Sequence, residues 1–442
     1  VTTYLLEKAL VGEQVLDDVL VTVDAGRFVE AGPDARDRAI RLPGLSIPGL
    51  ANCHSHAFHR ALRGHTQLGR AGEPPGTFWT WREQMYAVAR RLTPDSYYAL
   101  ARATYREMLA AGITCVGEFH YLHHQPDGTP YADPNAMGNA LIAAAKDAGI
   151  RIALLDTCYL AAGIGRAPEG VQVRYSDGDA TRWAGRVDAL KGDDTTVIGA
   201  AVHSVRAVPK DQITTVAEWA QGDGQSGKPL HVHLSEQVAE NEQCLAAHGR
   251  TPTELLDEAG ALGPMTSAVH ATHLTDHDLA LLGSAGTHAC FCPTTERDLG
   301  DGIGPSRALA DHGARLTLGS DSHAVIDPFE EMRAVELDER LATQRRGHWS
   351  AIDLLGAATH DGHASLGFPD AGRIAVGQRA DLVTLDLTSP RTAGTGAGPE
   401  TVVFAAVAED VRSVMVDGVL HETAALRPEI GHELRAATEG VR

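Results

Sequence analysis

Over its first 47 residues the chain alternates apolar and polar positions in short runs such as Val19-Leu20-Val21-Thr22-Val23, broken by turn residues at Asp24-Ala25-Gly26. This period-two pattern predicts strands. A similar set returns near the C-terminus at 380–385 and 411–416, the second ending in a turn at Asp417-Gly418. The two groups, residues 1–47 and 371–442, are expected to pair into one small β-sandwich.

Between 48 and 370, strand-like runs alternate with amphipathic helical stretches, the pattern of repeated βα units. The runs lie at 46–53, 114–119, 151–157, 196–203, 229–234, 266–271, 287–292 and 315–320. Eight such units predict an α/β fold, a (β/α)8 TIM-like barrel as the catalytic domain. One helix starts at Thr93 before Pro94, places Tyr98, Ala101, Tyr105 and Met108 at helical spacing and ends at Gly112. Segments 135–149, 209–221, 237–248, 275–285 and 328–346 read likewise, and 389–399 reads as a loop.

Hydrophobic residues make up 43% and charged residues 22%, ordinary soluble usage that predicts neither disorder nor membrane spans. The first residues show no basic region followed by a long apolar stretch, so a cytoplasmic protein is expected. Six scattered cysteines fit a reducing compartment, and Cys290 and Cys292 read as buried structural thiols. A net charge of −20 argues against nucleic-acid binding, and any anionic substrate must be captured by locally placed arginines. A homodimer is left open.

Asn52-Cys53-His54-Ser55-His56 closes the first barrel strand, and period-two geometry turns His54 and His56 to one face, where two imidazoles reach one ion. An HxH alone is a weak signal among 22 histidines, but barrels place their active sites at the C-terminal ends of strands. His231 and His233 close the fifth strand; the later one sits at the top and is the expected ligand, with His231 a hydrogen-bonded core histidine. Asp321 closes the eighth strand and offers the carboxylate that three histidines lack, although Asp also serves there as a helix cap. Together His54, His56, His233 and Asp321 are expected to hold one divalent metal. Glu236, three residues after His233, fits an acid that protonates a leaving nitrogen, or a glutamate favoured by a helix N-terminus. His270 ends the sixth strand at the same rim. His273, His123 and His124 read as satisfied loop histidines.

HxH, then HxxE, then a strand-six histidine, then Ser320-Asp321-Ser322 resembles the amidohydrolase superfamily in its single-metal deaminase branch. Residues 372–383 are also similar to that superfamily's return from barrel to sandwich. The binuclear branch carries a carboxylated lysine in the fourth strand; none precedes His203 here, so the resemblance implies one metal. Longer runs are similar to the formimidoylglutamate deiminases: Phe78-Trp79-Thr80-Trp81-Arg82-Glu83-Gln84-Met85-Tyr86, Glu118-Phe119-His120-Tyr121, His203-Ser204-Val205-Arg206-Ala207-Val208, and Thr295-Glu296 followed by Leu299-Gly300-Asp301-Gly302-Ile303. Those enzymes convert N-formimino-L-glutamate to N-formyl-L-glutamate and ammonia in histidine degradation. The likeness covers nearly the whole chain and implies that Arg82, Tyr121, His203 and Arg206 hold the glutamate moiety. It fails at one contact: His59 stands where that family has Gln, three residues after His56.

Two arginines and a tyrosine near the rim of an acidic protein independently suit a small dicarboxylate substrate, although Arg82 also fits a surface position on its tryptophan-rich helix. The expected chemistry is hydrolysis by a metal-acidified water, with Asp321 taking its proton and His270 orienting the nucleophile or stabilising developing charge. Glu236 protonates the imino nitrogen, and ammonia leaves. Zinc is the expected ion, and Fe2+ would tolerate the same ligands. Three alternatives keep this fold. A deaminase of guanine-type heterocycles would not need two carboxylate-binding arginines, and a hydrolase of acylated amino acids or lactams would release no ammonia. An inactive binding protein would have lost a ligand or Glu236, and none is lost.

Overall fold

Gly49 divides one apolar run into two strands that belong to different sheets. A Cβ at Gly49 would lie 2.7 Å from Thr114 and 2.8 Å from Asp381, so only glycine lets the chain pass between the two layers. The structure, a computed structural model, describes residues 1–32, 35–67, 78–222 and 227–442. Before Gly49 run β1 (Thr2–Val11), β2 (Gln14–Asp24), β3 (Arg27–Val29) and β4 (Ile40–Pro48). After it come β5 (Leu50–Ser55), β6 (Ile113–His120), β7 (Arg151–Cys158), β8 (Thr196–Val202), β9 (Leu230–Leu234), β10 (Thr266–His270), β11 (His288–Phe291) and β12 (Arg315–Leu318). Three strands end the set: β13 (Leu382–Leu385), β14 (Val411–Val416) and β15 (Val419–Glu422).

Strands β5 to β12 form an eight-stranded parallel sheet in sequence order. It closes between its ends: Ser55 and Asp321 form a parallel bridge, and the His56 N–H donates to the Asp321 carbonyl at 3.2 Å. Gly319 makes that closure sterically feasible, because a Cβ there would lie 2.7 Å from the His54 Cβ. Residues of β6 and β7 are buried throughout, as parallel strands covered by helices outside and side chains inside must be.

Helix Pro94–Ala110 begins in a reciprocal cap between Thr93 and Ser96. Its buried stripe runs through Tyr97, Ala101, Tyr105 and Met108; Tyr98, expected inside, sits at the edge and donates to Asp147 at 2.5 Å. Each of the other five expected segments holds a helix, for example Ala136–Ala148, Val238–His248 and Pro328–Thr343, and further helices such as Phe78–Arg91, Pro252–Glu258 and Ala351–Ala358 lie outside those segments.

The two chain ends pair as expected into a small β-unit with its own core, which includes Leu6, Val23, Phe28, Leu382 and Met415. Its strands form one continuous mixed sheet in the order β15-β14-β13-β4-β1-β2-β3 rather than two separate layers. Arg151 at the base of the barrel and Asp381 beside β13 tie this sheet to the barrel through a buried ion pair. The final helix, Thr423–Glu439, leaves the sheet and packs Ile430 and Leu434 against Ala103 and Ala110 of the barrel helix.

Candidate metal centre and substrate cavity

The C-terminal ends of β5 and β9 and the turn after β12 bring His54, His56, His233 and Asp321 together, all buried, with one donor atom of each within 4.8 Å of the others. Hydrogen bonds behind two of the rings set their tautomers. His56 Nδ1–H donates to the Phe119 carbonyl at 3.0 Å, and His233 Nδ1–H to the His203 carbonyl at 3.0 Å. Both Nε2 lone pairs therefore point inward. His56 Nε2 meets Asp321 Oδ1 at 3.2 Å, and His233 Nε2 meets His54 Nε2 at 3.1 Å. Burial holds the His54 pKa down at about 4 and that of His233 well below its ordinary value, so protons do not relieve this crowding of donor atoms. A divalent cation does. Three imidazoles and one carboxylate are a ligand set suited to zinc.

The backbone is strained at this point. Ser235, His270 and Asp321, none of them glycine, have φ of 51°, 70° and 43°. Positive φ at non-glycine positions collects where a site over-determines the chain.

Glu236 and His270 line the same space. His270 Nδ1–H donates to Glu296 Oε1 at 3.2 Å, and its Nε2 lies 3.7 Å from Asp321 Oδ2 and 3.9 Å from Glu236 Oε1. Burial opposes protonation of His270, but the carboxylates of Glu236, Glu296 and Asp321 outweigh it and hold its pKa well above the ordinary value. The charge of a bound dication acts the other way. Burial raises the Glu236 pKa, the direction that keeps a proton on an acid. Glu296, itself held by the Cys292 N–H at 2.8 Å, had no role in the sequence reading; its signal was a carboxylate four residues past the end of the seventh barrel strand.

A cavity opens beside the ligands, lined by His59, Arg82, Tyr121, His203, Arg206, Glu236 and His270 together with Trp81, Tyr86, Tyr159 and Tyr175. Every candidate substrate contact thus faces one space. His59 Nε2 and the Tyr121 hydroxyl share a hydrogen bond of 3.0 Å. The Arg82 guanidinium stacks over Trp79 at 4.6 Å and Tyr86 at 5.4 Å, and Arg82 is half-buried. Arg206 Nε lies 3.9 Å from Glu240 Oε1, and the Nε atoms of both arginines are buried without a hydrogen-bond partner among the described residues.

A second grouping of possible ligands, His120, His123 and Asp156, is already charge-compensated. Arg186 donates to both Asp156 oxygens at 2.8 and 2.9 Å, and Trp183 Nε1 adds a third bond at 3.0 Å. His231 is a core histidine, but contrary to expectation neither of its ring nitrogens makes a hydrogen bond among the described residues, because its buried ring packs face to face with that of His54; Cys290 and Cys292 are buried free thiols.

The sequence profile of the amidohydrolase family matches residues 45–420. The chain belongs to this family. It is 39% identical over 427 residues to the formimidoylglutamate deiminase of Pseudomonas aeruginosa, an alignment spanning 93% of this chain and 92% of that one. A 5-methylthioadenosine/S-adenosylhomocysteine deaminase of Natronomonas pharaonis is 29% identical over 406 residues, spanning 91% and 87%. The crystal structure of an amidohydrolase from Brucella melitensis, 32% identical, superposes with a TM-score of 0.90 over 100% of both chains. As an amidohydrolase, the protein is a metal-dependent hydrolase with a His-His-His-Asp centre at the mouth of its barrel. No helix among the described residues is long and apolar enough to cross a membrane.

Proposed function

We propose that this amidohydrolase hydrolyses N-formimino-L-glutamate to N-formyl-L-glutamate and ammonia, with one zinc ion, in the degradation of histidine. One observation carries the reading: two guanidinium groups, Arg82 and Arg206, line the cavity beside the metal ligands, each with a buried Nε that makes no hydrogen bond among the described residues. Guanidinium forks match carboxylates, and two of them match a dicarboxylate. The 39% identity to a formimidoylglutamate deiminase supports the same substrate.

A divalent ion on His54, His56, His233 and Asp321 would supply an acidified water and polarise the amidine carbon. Arg82 and Arg206 bind the two carboxylates, and the Tyr121–His59 pair presents polar groups to the same moiety. Glu236, whose burial raises its pKa, donates to the imino nitrogen and makes the formimidoyl carbon more electrophilic. Asp321 accepts the proton of the attacking water, and His270, steadied by Glu296, faces Asp321 Oδ2 and orients that exchange. Water adds to the carbon, Asp321 passes the proton it took to the nitrogen of the tetrahedral adduct, and ammonia departs as the adduct's hydroxyl proton returns to Glu236 to leave the formamide. Tyrosine and tryptophan walls surround the site with apolar surface, and the lower local dielectric strengthens each charge contact.

Incubation of the zinc-loaded protein with N-formimino-L-glutamate should yield ammonia and N-formylglutamate in equal amounts. Release of ammonia from guanine or an adenosine derivative, with none from the formimino compound, would replace this reading with that of a heterocycle deaminase.

A further inference from the structure

A directed chain of hydrogen bonds runs behind the metal ligands, across the seam where the barrel closes. Asn52 Nδ2 donates to Ser320 Oγ at 2.7 Å, and the Ser320 N–H returns a bond to Asn52 Oδ1 at 2.9 Å. With its oxygen accepting from Asn52, the Ser320 hydroxyl donates to His323 Nδ1 at 3.0 Å. His323 Nε2–H then donates to Ser55 Oγ at 3.0 Å. The Ser55 hydroxyl donates to Glu118 Oε2 at 2.6 Å, and Glu118 Oε1 takes the Ala57 N–H at 2.7 Å. Each donor in the series is used once, and all the side chains are buried. The series crosses the seam and returns: Asn52 and Ser55 belong to β5, Ser55 lying between the ligands His54 and His56, whereas Ser320 and His323 flank Asp321 beyond β12.

Asp321 needs such a hold, because Asp321 and His323 have φ of 43° and 57°, a strained conformation for residues with a side chain that persists only where the surroundings impose it. We propose that His323, bridging Ser320 and Ser55, is a positioning residue that fixes the Asp321 carboxylate as the fourth metal ligand, with Glu118 as the buried anchor of the relay. It forces the turn after β12 into register with the two histidines of β5. Asp321 is thereby held in place before any ion arrives, so metal affinity depends on groups that do not touch the metal. The inference rests on the metal site alone and stands whichever substrate is hydrolysed.

The test uses the full-length protein, stripped and reloaded, in Ser55→Ala, Ser320→Ala and His323→Gln forms. Zinc affinity, read by competition with a chromophoric chelator, is expected to fall about 10- to 100-fold in each. The visible absorption of the Co2+-loaded variants is expected to shift in position or intensity as the ligand geometry relaxes. Variants that fold with wild-type zinc affinity and an unchanged cobalt spectrum would overturn the proposal. So would variants whose only change is a lower melting temperature of the metal-free protein, since that marks a purely structural relay. If the His323 variant does not fold, the two serine variants, which remove a single hydroxyl each, decide the matter on the same readouts.

Discussion

The Asp321 N–H donates to the His54 carbonyl at 2.9 Å while the Asp321 carboxylate lies 3.5 Å from the His54 ring nitrogen, so this pair closes the barrel with its backbones and builds the metal site with its side chains. Removing the ion should therefore loosen the seam. A ligand at 1,000 times its Kd stabilises the folded state by about 4 kcal/mol. The chelated protein is expected to melt at a lower temperature and to recover when zinc is restored, which differential scanning calorimetry measures directly. Equal melting curves would mean that closure does not depend on the ion.

One ion per chain is the expected content, since β8 carries no lysine to bridge a second and the His120–Asp156 group is occupied by Arg186. Elemental analysis of the purified protein reads this number. His56→Ala should lose most of the metal and nearly all turnover, because a water without its ion returns to a pKa near that of bulk. Two tightly held ions per chain, both needed for activity, would refute the single-metal centre.

Glu236 is assigned the proton donation to nitrogen. Glu236→Gln keeps the shape of the side chain and removes the proton, so metal content should persist while kcat falls by about 10²-fold or more. Wild-type kcat in this variant would move the acid to another group.

The first HxH, His233 and Asp321 were readable from the chain because each follows a short apolar run, and a βα repeat puts every such end on one rim. Other features depend on pairings that no local pattern encodes. Gly49 looked like the middle of a strand because the residues on both sides are apolar; what separates β4 from β5 is the approach of Thr114 and Asp381 from distant segments. Glu296 faces His270 only because β11 lies beside β10. Ser55 and His323, 268 positions apart, meet across the barrel closure, which is a property of the finished sheet. The final helix carries an apolar stripe that fits either layer, and its partner is settled by the small side chains of Ala103 and Ala110.

Acid should weaken the base of the barrel through His363. Its Nδ1–H donates to the Thr359 carbonyl at 2.8 Å, its Nε2 meets Thr114 Oγ1 at 3.1 Å, and burial, reinforced by Arg151, holds its pKa down at about 4. A histidine whose folded pKa lies below its unfolded value of about 6.5 contributes stability that is complete above the unfolded pKa and lost as pH falls toward the folded one. The shift corresponds to about 3 kcal/mol, lost between about pH 6.5 and pH 4. His363→Asn keeps a donor for Thr359 and does not titrate. Urea unfolding at a series of pH values should show the variant less stable than wild type at pH 7, with the gap narrowing as pH falls to 4. A gap that stays constant would show that His363 does not take up a proton on unfolding.

Arg206 discriminates most sharply among the readings of the cavity. It follows the end of β8, its side chain is 14% exposed, and it faces the same space as Glu236 and His270. An exposed arginine would change substrate binding by only about 0–1 kcal/mol when removed. An arginine buried against a substrate carboxylate leaves that charge unpaired on truncation and should cost about 2–5 kcal/mol, roughly 30- to 5000-fold in kcat/KM. Arg206→Met retains the stem without the charge. Assayed on N-formimino-L-glutamate and on formimino-glycine, which lacks the side-chain carboxylate, it separates the two ends of the substrate. Loss confined to the first compound places Arg206 on the γ-carboxylate and leaves Arg82 for the α-carboxylate; equal losses on both reverse the assignment. An unchanged kcat/KM on both compounds would remove Arg206 from the site and, with it, the observation on which the dicarboxylate substrate rests.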